Sequence, residues 1–459
     1  MNGFIFSIVC QSHLFCLIFT NQCVAHPADA THHKLIFYLS KMKKISLFVC
    51  LLCLIHSCTK NTEPEASLPE SVINESVKQR IDSTLQSFVT DSLVAGASAL
   101  IFEKGKEVYF NAYGYADREA EIPMARNTIV TIFSMTKPVT GTALMSQFDK
   151  GAFRLEDPLS TYAPEFSDMK VLTGVDDSGK MILEPLERPI TIADITRHTA
   201  GFSTRQDLGL DSISAKADLL NFESTLSDMA SKLSQLPLGF QPGKRWEYGI
   251  SVDVQAYLTE KLAGTPFREY MKKVVLDPLE MNETSYFVPP EKRNRVAAIY
   301  NKSEDGLQRV PDSVVHALNY EHWPMTPGGW GLTSTLDDYM KLAQMFLNKG
   351  TYNGATILQP ETVKLMATNH LPAVEDSLWL PSKGRVGFGI DFAVRTEPPH
   401  TSQEMNGTVG EFFWDGAAST LFWVDPENEL TAVLFVQVFP FQGVVHKRFK
   451  DAVYGRIDD

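Results

Sequence analysis

The stretch NTIVTIFSMTKPVTGTALMSQFDKG, residues 127–151, decides the reading of this chain. Its first part, Thr128 to Phe133, is β-branched and aromatic, the composition of an extended segment. From Ser134 the pattern turns helical, and it closes on Lys150 and Gly151, an ordinary helix end. A serine opening a helix is a common N-cap, so Ser134 alone has an ordinary explanation. Lys137 does not. A cation in the first turn opposes the helix dipole, where a capping box would place Glu or Gln. No Asp or Glu occurs from Thr128 to Phe148, so the neighbouring sequence offers it no counter-ion.

A spacing of three puts Ser134 and Lys137 on one helical face, within reach of each other. A lysine without an anion at a helix N-terminus, desolvated by neighbours such as Phe133, is expected to have a lowered pKa. It could then take the serine's proton, or hold a phenolate that does so. The same N-terminus offers backbone N–H groups for an oxyanion. Ser-x-x-Lys is weak as a bare pattern and recurs at Ser40, Ser57 and Ser167. The first two lie in the leader, and Ser167 sits beside Glu165 and Asp168, which make Lys170 an ordinary surface residue.

The 459 residues are 44% hydrophobic and 21% charged, the profile of a soluble globular protein, and the net charge of −13 argues against nucleic acid. All six cysteines (10, 16, 23, 50, 53, 58) precede residue 59, so the body carries no disulfide, thiolate metal site or cysteine nucleophile. Met42 opens MKKISLFVCLLCLIHSC: two lysines, then an apolar run from Ile45 to Ile55, then Cys58. That is the plan of a signal peptide over residues 42–57, too short for a confident membrane span. Residues 1–41 hold a second apolar patch with no basic residue before it, and are read as a mis-assigned upstream extension. Residues 58–71 are polar and Pro/Glu-rich, a tether.

Apolar residues at helical spacing (Val77, Ile81, Leu85, Phe88) predict a helix, followed by two strands around Lys104-Gly105. The middle, about 150–380, is mostly helical pattern, and the chain ends in strands (RVGFGIDFAVR, STLFWVD, ELTAVLFVQVF) and a helix, GVVHKRFKDAVYG. Residues 72–456 therefore read as one α+β domain: an antiparallel sheet built from N- and C-terminal strands, flanked by helices, with an inserted mostly helical lobe. GVDDSGKM, residues 174–181, satisfies Gly-x-x-x-x-Gly-Lys but ends in Met181, and its two aspartates would repel a phosphate; it reads as a hairpin turn. Gly-x-Ser-x-Gly and His-Glu-x-x-His are absent from the sequence.

With SMTKPVTG, the stretches GAFRLEDPLSTYAPEF, ITIADITRHTAGFS, QPGKRWEYGISVDVQAYLTEKLAG, GGWGLTSTLDDYMKLAQMFLNKG and WDGAASTLFWVDP make the chain resemble the serine β-lactamase and penicillin-binding superfamily. The resemblance covers about 75–455 and is strongest to the class C-like, esterase-like branch. It implies a β-lactamase/transpeptidase-like fold, Ser134 as acyl-accepting nucleophile, Lys137 as its proton-relay partner, and Tyr248 as general base and then acid. It places the third motif at Trp414-Asp415-Gly416, with the Ala417 N–H as second oxyanion donor beside that of Ser134. Two departures stand out. Ile250 occupies the place where penicillin-recognising members carry asparagine, and Trp414 replaces the lysine of Lys-Thr-Gly. The missing lysine points to neutral ester or amide substrates, and Asp415 receives no role. His198 reads as structural.

The resemblance thus implies a carboxylesterase-like serine hydrolase with no cofactor and no metal, acting on a small ester, amide or cell-wall-derived substrate. The alternatives are a β-lactamase or D-Ala-D-Ala carboxypeptidase/D-aminopeptidase, an acyltransferase, and a non-catalytic penicillin-recognising sensor. Leu54-Ile55-His56-Ser57-Cys58 resembles the lipobox of bacterial lipoproteins, which implies lipidation at Cys58, a cell-envelope location (periplasm or outer membrane), and membrane contact through that anchor alone.

Overall fold

The computed structural model describes residues 71–371 and 383–457. The readings of residues 1–70, Cys58 among them, lie outside the described residues. Helix α1, Glu75–Thr90, starts at a cap legible in the sequence: the Asn74 side chain accepts a hydrogen bond from the Val77 N–H at 3.1 Å. Its buried face is Val77, Ile81, Leu85 and Phe88, the expected stripe. Strands β1, Gly96–Glu103, and β2, Lys106–Asp117, form the expected hairpin. Lys104 and Gly105 both adopt positive φ, 52° and 72°, as a two-residue primed turn requires. Strand β3, Ile122–Pro123, continues that edge.

Helix α2, Thr136–Phe148, is buried along its length from Thr136 to Gln147, so it is a core helix and not a surface one. The hairpin read at GVDDSGKM is β4, Lys170–Val175, with β5, Met181–Pro185. Its turn is closed by the Asp176 carboxylate, which accepts from the Ser178 and Lys180 N–H groups at 2.9 and 3.0 Å. Helix α3, Ser251–Ala263, packs against α2, and helix α4, Leu336–Leu347, follows.

The C-terminal strands are β6, Val386–Phe388; β7, Ala393–Arg395; β8, Phe412–Asp415; β9, Leu421–Asp425; and β10, Leu430–Phe435. RVGFGIDFAVR is thus two strands, not one, because Asp391 turns the chain with φ 61°. The sheet order is β6-β7-β8-β9-β10-β1-β2-β3, antiparallel throughout. Strand β1 lies between the two chain ends, with Ser98 opposite Phe435 on one side and Ala112 on the other.

Neighbouring residues of β9 point to opposite faces of the sheet. Phe422 meets Tyr339 of α4 at a ring-centroid distance of 4.9 Å, and Trp423 meets Phe449 of α5, Gly443–Tyr454, at 5.5 Å. Helix α1 packs beside α5, tied by the Arg80 guanidinium donating to the Ala452 carbonyl at 2.7 Å. The sheet is therefore covered on both faces, and the helical region lies on the α4 side. Among the described residues no helix is long and apolar enough to cross a membrane.

Candidate active site

The chain leaves a short strand, Val130–Thr131, turns at Phe133, and enters α2 through a 3₁₀ turn, Phe133–Met135. Phe133 has φ 46°, a conformation that costs a bulky residue about 1–3 kcal/mol and persists only where surroundings impose it. Its ring packs edge-on against Phe439 at 5.4 Å. This bend directs the half-buried Ser134 away from the capping position, and no side chain caps α2. The Lys137 ammonium donates to Ser134 Oγ at 3.2 Å and to the Gly329 carbonyl at 2.6 Å.

Tyr248 arrives from the loop that precedes α3. Its phenol oxygen accepts from Trp414 Nε1 at 3.1 Å and lies close enough to the Ser134 hydroxyl to be influenced by it. Lys137 Nζ stands 4.5 Å from the Tyr248 ring centroid, and the ring packs against His198 at 4.8 Å and Trp414 at 5.3 Å. Burial pushes the Lys137 ammonium down to about 8, against the opposing pull of Asp253, Asp391 and Asp415. Burial raises the Tyr248 phenol above the ordinary tyrosine range, although the Ser134 and Trp414 hydrogen bonds favour its phenolate.

The lowering expected for Lys137 is present and desolvation drives it, although the fold brings the carboxyl groups of Asp253, Asp391 and Asp415 near the amine from distant segments. Burial favours the neutral phenol of Tyr248. Trp414 is 1% exposed, so it spends its indole N–H on Tyr248 and offers no open apolar wall.

Glycines let these parts close up. Gly329 is the joint between Lys137 and Asp253: its carbonyl accepts from Lys137, and its N–H donates to Asp253 Oδ1 at 3.1 Å. A Cβ on Gly328 would lie 2.2 Å from the Val252 carbonyl oxygen, so the Gly328–Gly331 run marks a close backbone approach. Gly416 does the same for the third motif. A Cβ there would stand 2.5 Å from the Ile132 carbonyl and 2.3 Å from Thr420 Oγ1, so glycine lets the β8–β9 turn meet the segment before Ser134. Gly416 N–H is taken by the Thr420 carbonyl, whereas the N–H groups of Ala417 and Ser134 have no acceptor among the described residues. Ala417 is exposed, and the turn places its N–H at the cleft end of β8.

Asp415, without a role in the sequence, pairs with Lys383, and its Oδ2 lies 3.8 Å from His446 Nδ1. His198 is buried among Trp246, Tyr248 and Phe388, and its Nδ1 accepts from the Gly249 N–H at 3.4 Å. Burial and the Lys137 charge hold it neutral, as a structural residue requires. A cavity of ≈ 340 Å³ adjoins Tyr248, with Met169, Phe202, Leu219, Leu233 and Ile250 among its walls. Among the described residues no cluster of three His, Cys, Asp or Glu side chains is placed to hold a metal.

Asp253 and Asp391 are the residues that sequence reasoning passed over. Asp253 resembled an ordinary first-turn acid of α3; a carboxylate within the apolar run GFGIDFAV was the available signal for Asp391.

A two-ended antiparallel sheet, a buried helix headed by Ser-x-x-Lys and a tyrosine facing that serine define the β-lactamase/transpeptidase-like fold. Residues 81–454 match the Beta-lactamase family, and the chain belongs to it. Protein Rv1367c of Mycobacterium tuberculosis is 32% identical over 354 residues, spanning 76% of this chain and 87% of that protein. Esterase EstB of Burkholderia gladioli is 26% identical over 407 residues, spanning 83% of this chain and 96% of its own. The solved structure of EstCE1, titled a hydrolase with promiscuous acyltransferase activity, superposes with a TM-score of 0.68 at 24% identity, covering 84% of this chain and 100% of that one.

Proposed function

We propose that this protein is a serine hydrolase that cleaves esters with an apolar acyl or alcohol part, through an acyl-enzyme on Ser134. The observation that carries this reading is the Ser134 hydroxyl held 3.2 Å from Lys137 Nζ, with the Tyr248 phenol beside the same two groups. With its pKa near 8, Lys137 is partly a free amine at neutral pH, and that amine accepts the serine proton as Oγ attacks the carbonyl carbon. The carbonyl oxygen becomes an oxyanion between the N–H groups of Ser134 and Ala417. Tyr248, protonated at rest, gives its proton to the departing alkoxide and is reprotonated by Lys137 with the proton taken from serine, so the net transfer is one proton from serine to the leaving alcohol. Water then repeats the sequence in reverse and frees the acid.

The cavity beside Ile250 supports an uncharged substrate, because its wall combines apolar side chains with Asp218 and Glu247 and offers a carboxylate no cation. A fluorophosphonate should label Ser134 and no other residue, p-nitrophenyl esters should turn over, and nitrocefin should not. Labelling elsewhere would reject the assignment, and efficient nitrocefin turnover would favour the β-lactamase alternative. Added alcohols measure how the acyl group partitions between water and an acceptor. Anchoring at Cys58 in the cell envelope is part of the same proposal; a mature N-terminus lacking diacylglycerol on Cys58 would remove it.

A further inference from the structure

We propose that Asp391 is a positioning residue: as an uncharged carboxylic acid it bridges the helix bearing Lys137 and the helix that follows Tyr248. It thereby fixes the spacing of the two groups and keeps an ionised carboxylate away from the catalytic amine. This inference rests on the reading of Lys137 as proton acceptor.

Gly141, in the middle of α2, lies one turn beyond Lys137. A Cβ there would stand 2.4 Å from Asp391 Oδ2, so the missing side chain is what lets the carboxyl lie on the helix backbone. Glycine is a poor residue for a helix interior, and this contact accounts for it. From the other side, Gln255 of α3 donates Nε2 to Asp391 Oδ1 at 3.0 Å and to the Ile195 carbonyl at 3.0 Å. The Asp391 N–H reaches the Thr196 carbonyl at 3.3 Å.

Asp391 is fully buried, and both its Oδ2 and Gln255 Oε1 are buried without a hydrogen-bond partner. A buried carboxylate oxygen with no donor is costly as an anion, so the lone Oδ2 favours the uncharged acid. No described Lys, Arg or His lies within ion-pair distance of Asp391. The titratable groups that interact with Asp391 are Lys137 from α2 and Tyr248 from the loop before α3; Phe392, next in the chain, packs on Phe346 and Phe412. Burial raises the Asp391 acid to about 8, in the same direction as the geometry. An ionised Asp391 would raise the affinity of Lys137 for its proton and remove the base.

Three variants test this: Asp391→Asn, which keeps the shape but cannot ionise, Asp391→Ala and Gly141→Ala. Each is assayed for p-nitrophenyl ester hydrolysis from about pH 6 to about pH 10, and for phosphonate labelling of Ser134. Asp391→Asn should keep kcat within about twofold, with the acid limb moved by less than about half a unit. Asp391→Ala and Gly141→Ala should lower kcat about tenfold or more while KM changes little. If Gly141→Ala fails to fold, pairing it with Asp391→Gly removes the overlap; the pair should fold and still lack kcat. An acid limb lowered by about one unit or more in Asp391→Asn would mean an anion at Asp391 and overturn the proposal. Native kcat in Asp391→Ala would overturn it as well. Loss of Ser134 labelling in the native protein would instead strike at the serine reading itself.

Discussion

Tyr248→Phe is the most informative single change, because it removes one oxygen and nothing else. That oxygen receives the Trp414 indole N–H at 3.1 Å and stands beside the Ser134 hydroxyl. Without it, a buried indole donor loses its acceptor, a loss of about 1–3 kcal/mol, which for a chain of this size is a fall in Tm of a few degrees. The effect on rate should be larger and selective. If the phenol supplies the leaving-group proton, alkyl esters should lose about 10²–10⁴ in kcat. A p-nitrophenolate leaves without a proton, so p-nitrophenyl esters should lose less than about tenfold. The assay is kcat/KM for ethyl and p-nitrophenyl esters of one acid, native against variant, with Tm recorded for both. Equal losses on the two esters would refute the argument: Tyr248 would then act before the leaving group departs, as the base that its raised pKa argues against.

The pH profile follows from Lys137. Its pKa is lowered to about 8 and the neutral amine is the active form, so activity is lost as pH falls and present above. At pH 7 about one-tenth of the enzyme is competent, and kcat/KM should climb about tenfold to a plateau beyond about pH 9. A limb near about 10 would mean that Lys137 is solvated like an ordinary lysine. Lys137→Met should abolish phosphonate labelling and leave the fold intact; near-native labelling rates would end the relay role. Gly416→Val should force the β8–β9 turn off the Ile132 carbonyl and cost about 10²–10³ in kcat by displacing one oxyanion donor. Unchanged kcat in that variant would move the oxyanion site elsewhere.

The chemistry that sequence exposes here is the part written in short spacings. Ser134 and Lys137 stand three apart at an extended-to-helical switch, and Lys104-Gly105 and Asn74 announce a turn and a cap by residue type alone. The field around Lys137 is not local. Asp253 and Asp391 reach it from positions more than a hundred residues onward, and no pattern near position 137 encodes them. The protonation of Tyr248 depends on how completely Trp246, His198 and Trp414 enclose its ring, a property of packing. Asp415 was opaque because its partner, Lys383, lies on a different segment. The split of RVGFGIDFAVR was hidden because its alternation continues across a residue whose backbone reverses direction.

The hydrogen-bond ladder between β1 and β10 runs from Ser98–Phe435 to Glu103–Leu430. The nucleophile stands early in the sequence, whereas the turn holding Ala417 and the strand that closes the sheet against β1 stand far along it. The site is therefore assembled by contacts among widely separated segments, pairings that a folding chain completes slowly.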